Sequence, residues 1–162
     1  MKILIAYDGS PAAEAAVESV AKRPWPDGSE VRLITIVDRP FPPTSGVEIY
    51  APVFEQLRSS YREEAYDRLQ LCLEKFRARP DLVTSYELRD GNAKQALLEA
   101  IRDWQADLVV AGSHGAKGLT RLFLGSVCHA LVTHAPCNVE VVKAPAAQEL
   151  DQDAKIATET GA

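Results

Sequence analysis

The chain has 162 residues, 46% of them hydrophobic and 25% charged, which fits one globular domain able to bury a substantial core. No apolar run approaches the ~20 residues that a membrane helix needs, so no membrane-spanning helix is expected. Net charge is −5, of which the segment from Glu149 onward carries −3 and the rest of the chain −2. A nearly neutral body argues against non-specific nucleic-acid binding, which rests on Lys and Arg neutralising phosphates.

The apolar stretch at Met1–Ala6 is too short for the core of a signal peptide, and Asp8 follows it at once. A cytoplasmic protein is therefore expected. Cys72, Cys128 and Cys137 are odd in number and form no C-x-x-C pair, so they read as buried free thiols.

In chain order, Lys2–Tyr7 reads as a strand, an apolar run broken by Asp8-Gly9. Ser10-Pro11 then opens a helix, with Ser as N-cap and Pro at the first helical position. Ala13, Ala16, Val17, Val20 and Ala21 recur at helical spacing until Pro24 and Pro26 intervene. Val31–Val37, rich in β-branched residues, predicts a second strand. A proline-rich loop from Pro40 to Pro52 follows. Next comes a long helix to about Arg79, with Leu57, Tyr61, Ala65, Leu69, Cys72 and Phe76 on one face.

Leu82–Leu88 alternates weakly, as an edge strand does. Asn92 is the expected cap of a helix whose stripe runs through Ala93, Ala96, Leu97, Ala100, Ile101 and Trp104. Leu108–Ala111 is a fully apolar strand. Beyond a glycine-rich loop, Leu124, Val127, Cys128 and Leu131 mark a short helix ended by Pro136. Asn138–Val142 is the last strand. From Ala144 to Ala162 the chain reads as an acidic tail without an assigned role.

Strands alternating with helices predict a single doubly wound α/β domain with a parallel five-stranded sheet and helices on both faces. The first and fourth strands are apolar without alternation, so they belong at the centre. The third and fifth carry polar residues, so they belong at the edges. The order 3-2-1-4-5 satisfies this. Its winding reverses between strands 1 and 4, and ligands bind outside the carboxyl ends of strands at such a reversal.

Strand 4 runs straight into Gly112-Ser113-His114-Gly115-Ala116-Lys117-Gly118-Leu119-Thr120-Arg121-Leu122-Phe123-Leu124-Gly125-Ser126. Glycine admits positive φ and lets an anion approach backbone amides closely. Gly125-Ser126 stands at a helix start, where free amides and the dipole favour phosphate. Lys117, Arg121 and His114 could add to such a site. The alternative is a plain surface loop with a serine cap. Asp8 is likewise open between a ligand role beside the reversal and an ordinary Asp-Gly-Ser turn.

Other chemistries lack their motifs. There is no Walker A sequence, and no G-x-G-x-x-G follows strand 1. Ala111-Gly112-Ser113-His114-Gly115 misses the first glycine of the G-x-S-x-G nucleophile elbow. His129 and His134, five apart on one helix, point about 140° away from each other, which argues against a zinc site built with Cys128 and Cys137.

Gly112-x2-Gly115-x9-Gly125-Ser126 resembles the ATP-binding pattern of the universal stress protein family. Ile5-Ala6-Tyr7-Asp8-Gly9-Ser10, Asp107–Gly115 and His134-Ala135-Pro136-Cys137 extend the resemblance over roughly residues 1–143. The fold it implies is the adenine-nucleotide alpha-hydrolase-like one, with residues 1–143 as the nucleotide-binding domain. It implies that Asp8 contacts the ribose or adenosine, that the Val37 backbone meets the adenine, and that Gly112, Gly115, Gly125, Ser126 and the Val127 amide hold the phosphates, with His114 alongside. The implied ligand is ATP, with Mg2+ held through its phosphates.

The resemblance further implies a stress-linked regulatory role with at most slow hydrolysis, and a homodimer formed through the last strand. Glu140 departs from the family's apolar pattern in that strand, and a charge there can guard an edge against pairing. Two rival functions stay open: an ATP-dependent enzyme on the same fold, and a dimeric scaffold that binds no nucleotide.

Overall fold

The computed structural model describes residues 1–37, 51–115 and 124–144, with the backbone alone at 51–54. Its elements run β1 (Lys2–Ala6), α1 (Pro11–Lys22), β2 (Ser29–Val37), α2 (Ala51–Glu74), β3 (Leu82–Asp90), α3 (Ala93–Trp104), β4 (Leu108–Gly112), α4 (Ser126–His134) and β5 (Asn138–Val142). The five strands form one sheet in the order β3-β2-β1-β4-β5, and every pairing is parallel. This is the order expected from the apolar character of β1 and β4.

Each face of the sheet buries its own core. Ile3, Ile5, Val31, Leu33 and Val110 point to the α1 and α2 side, where they meet Val17, Val20, Leu69 and Phe76. Leu4, Ile34 and Val109 point the other way, toward Leu97, Ile101, Trp104 and Leu131 of α3 and α4. The period-2 alternation of a strand divides the apolar run of β1 between the two cores.

Helix α2 departs from the expected stripe. Ala65, Leu69, Cys72 and Phe76 are buried, but Leu57 and Tyr61 are 43% and 51% exposed. Arg58 and Arg62 occupy the inward positions of those turns, and both donate to Asp90 Oδ2, at 3.0 and 2.8 Å. An acid at the end of an edge strand thus draws two arginines inward and turns the helix's apolar stripe aside. The helix also ends at Glu74 rather than near Arg79. Three consecutive i→i+3 bonds (Lys75 to Cys72, Phe76 to Leu73, Arg77 to Glu74) tighten the chain beyond it. Arg79 then donates to the carbonyls of Ala21 and Arg23, at 2.6 and 2.8 Å.

Smaller differences follow from register. β3 runs on to Asp90 because it stays paired with β2 as far as Val37. Leu124, expected on the fourth helix, precedes it and is exposed. Glu140 pairs in register with Val110, whose side chain faces α1. Its carboxylate is gripped by both terminal nitrogens of Arg23, one at 2.9 Å. The charge in the edge strand is therefore neutralised within the chain. The expected loop at 40–52 lies outside the described residues as far as residue 50, as does the tail from residue 145.

Replacing Leu69 by Ala should cost about 2–5 kcal/mol in urea unfolding, because it empties a fully buried site. Leu71→Ala, two residues on but 69% exposed, should stay within about 0.5 kcal/mol.

Candidate functional site

In a parallel sheet every helix that follows a strand begins at the same side of the sheet, the carboxyl ends of the strands. A cavity of about 600 Å³ opens at those ends, where the winding reverses between β1 and β4. The first turns of α1, α3 and α4 contribute to its wall through Ala13, through Ala93 and Lys94, and through Ser126, Val127 and Cys128. Ala6, Ile34, Ile36 and Leu97 form an apolar side.

The three helix starts differ in one respect. Ser10 Oγ caps α1 by accepting from the Ala13 amide at 3.1 Å. Asn92 Oδ1 caps α3 by accepting from the Lys94 and Gln95 amides, at 3.1 and 3.4 Å. Helix α4 starts from Gly125, which has no side chain to offer, and no side-chain cap replaces it. The first bond within α4 runs from the His129 amide to the Gly125 carbonyl at 2.9 Å. The amides of Ser126, Val127 and Cys128 are thus left without an acceptor among the described residues, at the positive end of the helix dipole.

Close backbone packing builds the rest of the site. A Cβ on Gly112 would stand 2.6 Å from the Ala12 carbonyl carbon and 2.7 Å from the Ala13 nitrogen, so the first turn of α1 lies directly on the end of β4. A Cβ on Gly115 would stand 2.8 Å from Asp8 Oδ2, which brings the loop after β4 against the turn after β1. Ser10 Oγ reinforces that junction by donating to the His114 carbonyl at 3.3 Å. The loop is closed at its far end by the Gly125 amide, which donates to the Ser113 carbonyl at 2.9 Å. The Ser113 amide donates to Val142 of β5 at 2.7 Å. Residues 116–123, including Lys117 and Arg121, lie outside the described residues.

Asp8 is exposed and also accepts the Ser10 amide at 3.0 Å, in the manner of an Asx turn. The residue before it is anchored firmly. Tyr7 donates its amide to Ile34 and accepts Thr35 Oγ1 at its carbonyl, at 2.9 and 2.8 Å. Its hydroxyl donates to Glu14, which also takes Lys75 Nζ at 2.6 Å. Burial, with hydrogen bonds to Cys72 and Glu14, holds the Tyr7 hydroxyl far above the ordinary phenol range. It therefore stays a donor and ties the Asp8 turn to α1 and α2.

Asp8, Gly112, His114, Gly115, Gly125, Ser126 and Val127 all line the cavity. Val37 stands apart from that lining. It is buried, and its carbonyl accepts the Gly91 amide at 3.1 Å. Ile34 and Ile36 of the same strand reach the cavity instead. His114 Nδ1 lies 3.0 Å from Ser113 Oγ, and its Nε2 is buried with no partner among the described residues. Cys128 Sγ donates to the Gly112 carbonyl at 3.3 Å, and burial pushes its pKa up to about 11. It is a neutral thiol near pH 7 and no nucleophile.

Asn92, Ala93, Lys94 and Leu97 are lining residues that sequence reasoning did not single out. Their signal was available: Asn92 caps a helix that follows β3, so the start of α3 must lie at the same side of the sheet.

Comparison with known proteins agrees with this fold. The model of the universal stress protein family matches residues 1–143. A universal stress protein of Thermus aquaticus is 33% identical over 146 residues, which span 87% of this chain and 97% of that one. A universal stress protein of Lactobacillus plantarum has a TM-score of 0.75 at 24% identity, over 88% of this chain and 97% of its own. An Arabidopsis thaliana member of the family with AMP bound has a TM-score of 0.66 at 17% identity, over 91% and 94% of the two chains.

Gly112→Ala should lower stability by about 1–3 kcal/mol, since backbone rather than a mobile side chain must give way. Thermal melting of the unliganded protein checks this. Gly115→Ala, opposed by the Asp8 carboxylate alone, should cost less.

Proposed function

Because the chain belongs to the universal stress protein family, we propose that its cavity binds an adenine nucleotide, ATP, in a stress-linked regulatory role. The observation that carries this reading is the uncapped start of α4. Three amides without acceptors among the described residues sit at the positive end of a helix, beside glycines whose missing side chains leave room for an anion. Ala6, Ile34, Ile36 and Leu97 suit the flat, apolar faces of the base. Asp8, between these two parts, suits the ribose hydroxyls. The AMP held by the Arabidopsis relative supports an adenine nucleotide as the ligand class.

Mg2+ enters this reading through the phosphates, as a counter-ion to the bound triphosphate. Turnover is slow in it. The described lining holds Asp8, already accepting the Ser10 amide, and His114, whose Nδ1 faces Ser113. Neither is assigned the task of activating water in this reading. Hydrolysis at typical enzyme rates, about 1–1000 per second, would contradict this. The proposed setting is the cytoplasm. The proposed assembly is a homodimer through β5, in which the Arg23–Glu140 pair removes the repulsion that two bare carboxylates would bring.

The test is calorimetric titration with ATP, ADP, AMP and cyclic AMP, with and without Mg2+. Saturable ATP binding is expected, and Gly125→Val should weaken it at least about tenfold, or 1.4 kcal/mol. Its side chain would press on the Ser113 carbonyl, 3.2 Å from the position of a Cβ. Absence of saturable binding to the native chain would favour a scaffold without nucleotide. Unchanged binding in Gly125→Val would place the ligand elsewhere.

A further inference from the structure

Lys94 stands out among the lining residues. It is the only lysine or arginine on the described wall of the cavity. It occupies the second position of α3, after the cap Asn92, where a cation meets the positive end of the helix dipole and is disfavoured. No acid in that turn offsets it. Lys22 pairs with Glu18, Lys75 with Glu14, and Lys2 donates to the Trp104 carbonyl, while Lys143, like Lys94 without a side-chain partner among the described residues, lies away from the cavity lining. The ammonium of Lys94 has no hydrogen bond or ion pair among the described residues. Its backbone amide donates to the cap, Asn92 Oδ1.

Lys94 is exposed, and nothing among the described residues holds its charge, whereas an anion in the cavity would give that charge a partner. The Lys94 and Gln95 amides are already taken by Asn92, so what α3 offers a ligand is chiefly charge. Helix α4 offers the reverse, open amides without a cationic side chain in its first turn. A cavity of this volume is about 10 Å across, close to the ~8–10 Å Debye length at ordinary salt, so charge on one wall is felt at the other.

We propose that Lys94 sets the cavity's preference among nucleotides by the number of their phosphate charges. The α4 amides fix where a phosphate sits, and Lys94 grades affinity from monophosphate to triphosphate. This rests on the nucleotide reading of the same cavity.

The test compares AMP, ADP and ATP binding to the native protein, Lys94→Met, Lys94→Arg and Lys94→Glu, at low and high salt. Coulomb energy scales with ligand charge, so Lys94→Met should weaken ATP about tenfold, AMP, with about half the charge, about threefold, and ADP in between. Lys94→Glu should steepen that gradient, and Lys94→Arg should restore the native order. The salt dependence of ATP binding should be shallower in Lys94→Met. Equal losses for all three nucleotides would make Lys94 a contact to the base or ribose and overturn the proposal, as would no loss at all. If native ATP binding is abolished by Gly125→Val yet indifferent to Lys94, this inference alone fails. If the native protein binds none of the three, the nucleotide reading fails with it.

Discussion

The contact between Gly112 and the first turn of α1 is the constraint on which the rest of the site depends. It occurs where the winding of the sheet reverses, with α1 leaving β1 on one face while the chain beyond β4 turns to the other. Any side chain at residue 112 would overlap the backbone of Ala12 and Ala13. With glycine there, the turn after β1 and the loop after β4 come within hydrogen-bonding reach. Ser10 meets His114, and Asp8 meets Gly115. A strand order that separates two helices in this way leaves a crevice, and this close approach furnishes it with polar groups.

Capping then divides the labour at that crevice. Three helices start there, and side chains satisfy two of them. The N-terminal amides of a helix need acceptors from side chain, water or ligand. Ser10 and Asn92 commit α1 and α3 to structural closure. Gly125 leaves α4 open. The glycine before α4 thus serves twice, as a residue small enough to lie against Ser113 and as a cap that withholds an acceptor. Lys94 adds charge from the neighbouring wall, which closed amides cannot supply. On the proposed reading, these residues hold an anion and supply little with which to cleave it.

Much of this was legible in the sequence because it rests on local rules. Ser10-Pro11 and Asn92 announced their helices, and the unbroken apolar runs of β1 and β4 identified the central strands. The order of the sheet followed from polarity alone. What escaped was set by tertiary partners. Nothing near Leu57 or Tyr61 signals that Arg58 and Arg62 will turn inward to Asp90, 28 to 32 residues away in the chain. Nor does the sequence near Glu140 reveal Arg23, 117 residues distant. In the site, glycine spacing indicated the α4 wall, whereas the α3 wall comes from a helix whose sequence reads as ordinary. Ile34 and Ile36 show the same limit: position along a strand does not tell which of its residues line the cavity.

The most direct measurement is the change in backbone amide 15N and 1H chemical shifts as ATP is titrated into the labelled protein. If the phosphates rest on the open start of α4, the largest shifts will fall on Ser126, Val127 and Cys128, with Gly115 and Asp8 following. The capped amides of Ala13 and Gln95 will move little. Large shifts at the capped helix starts, with α4 unmoved, would contradict the account.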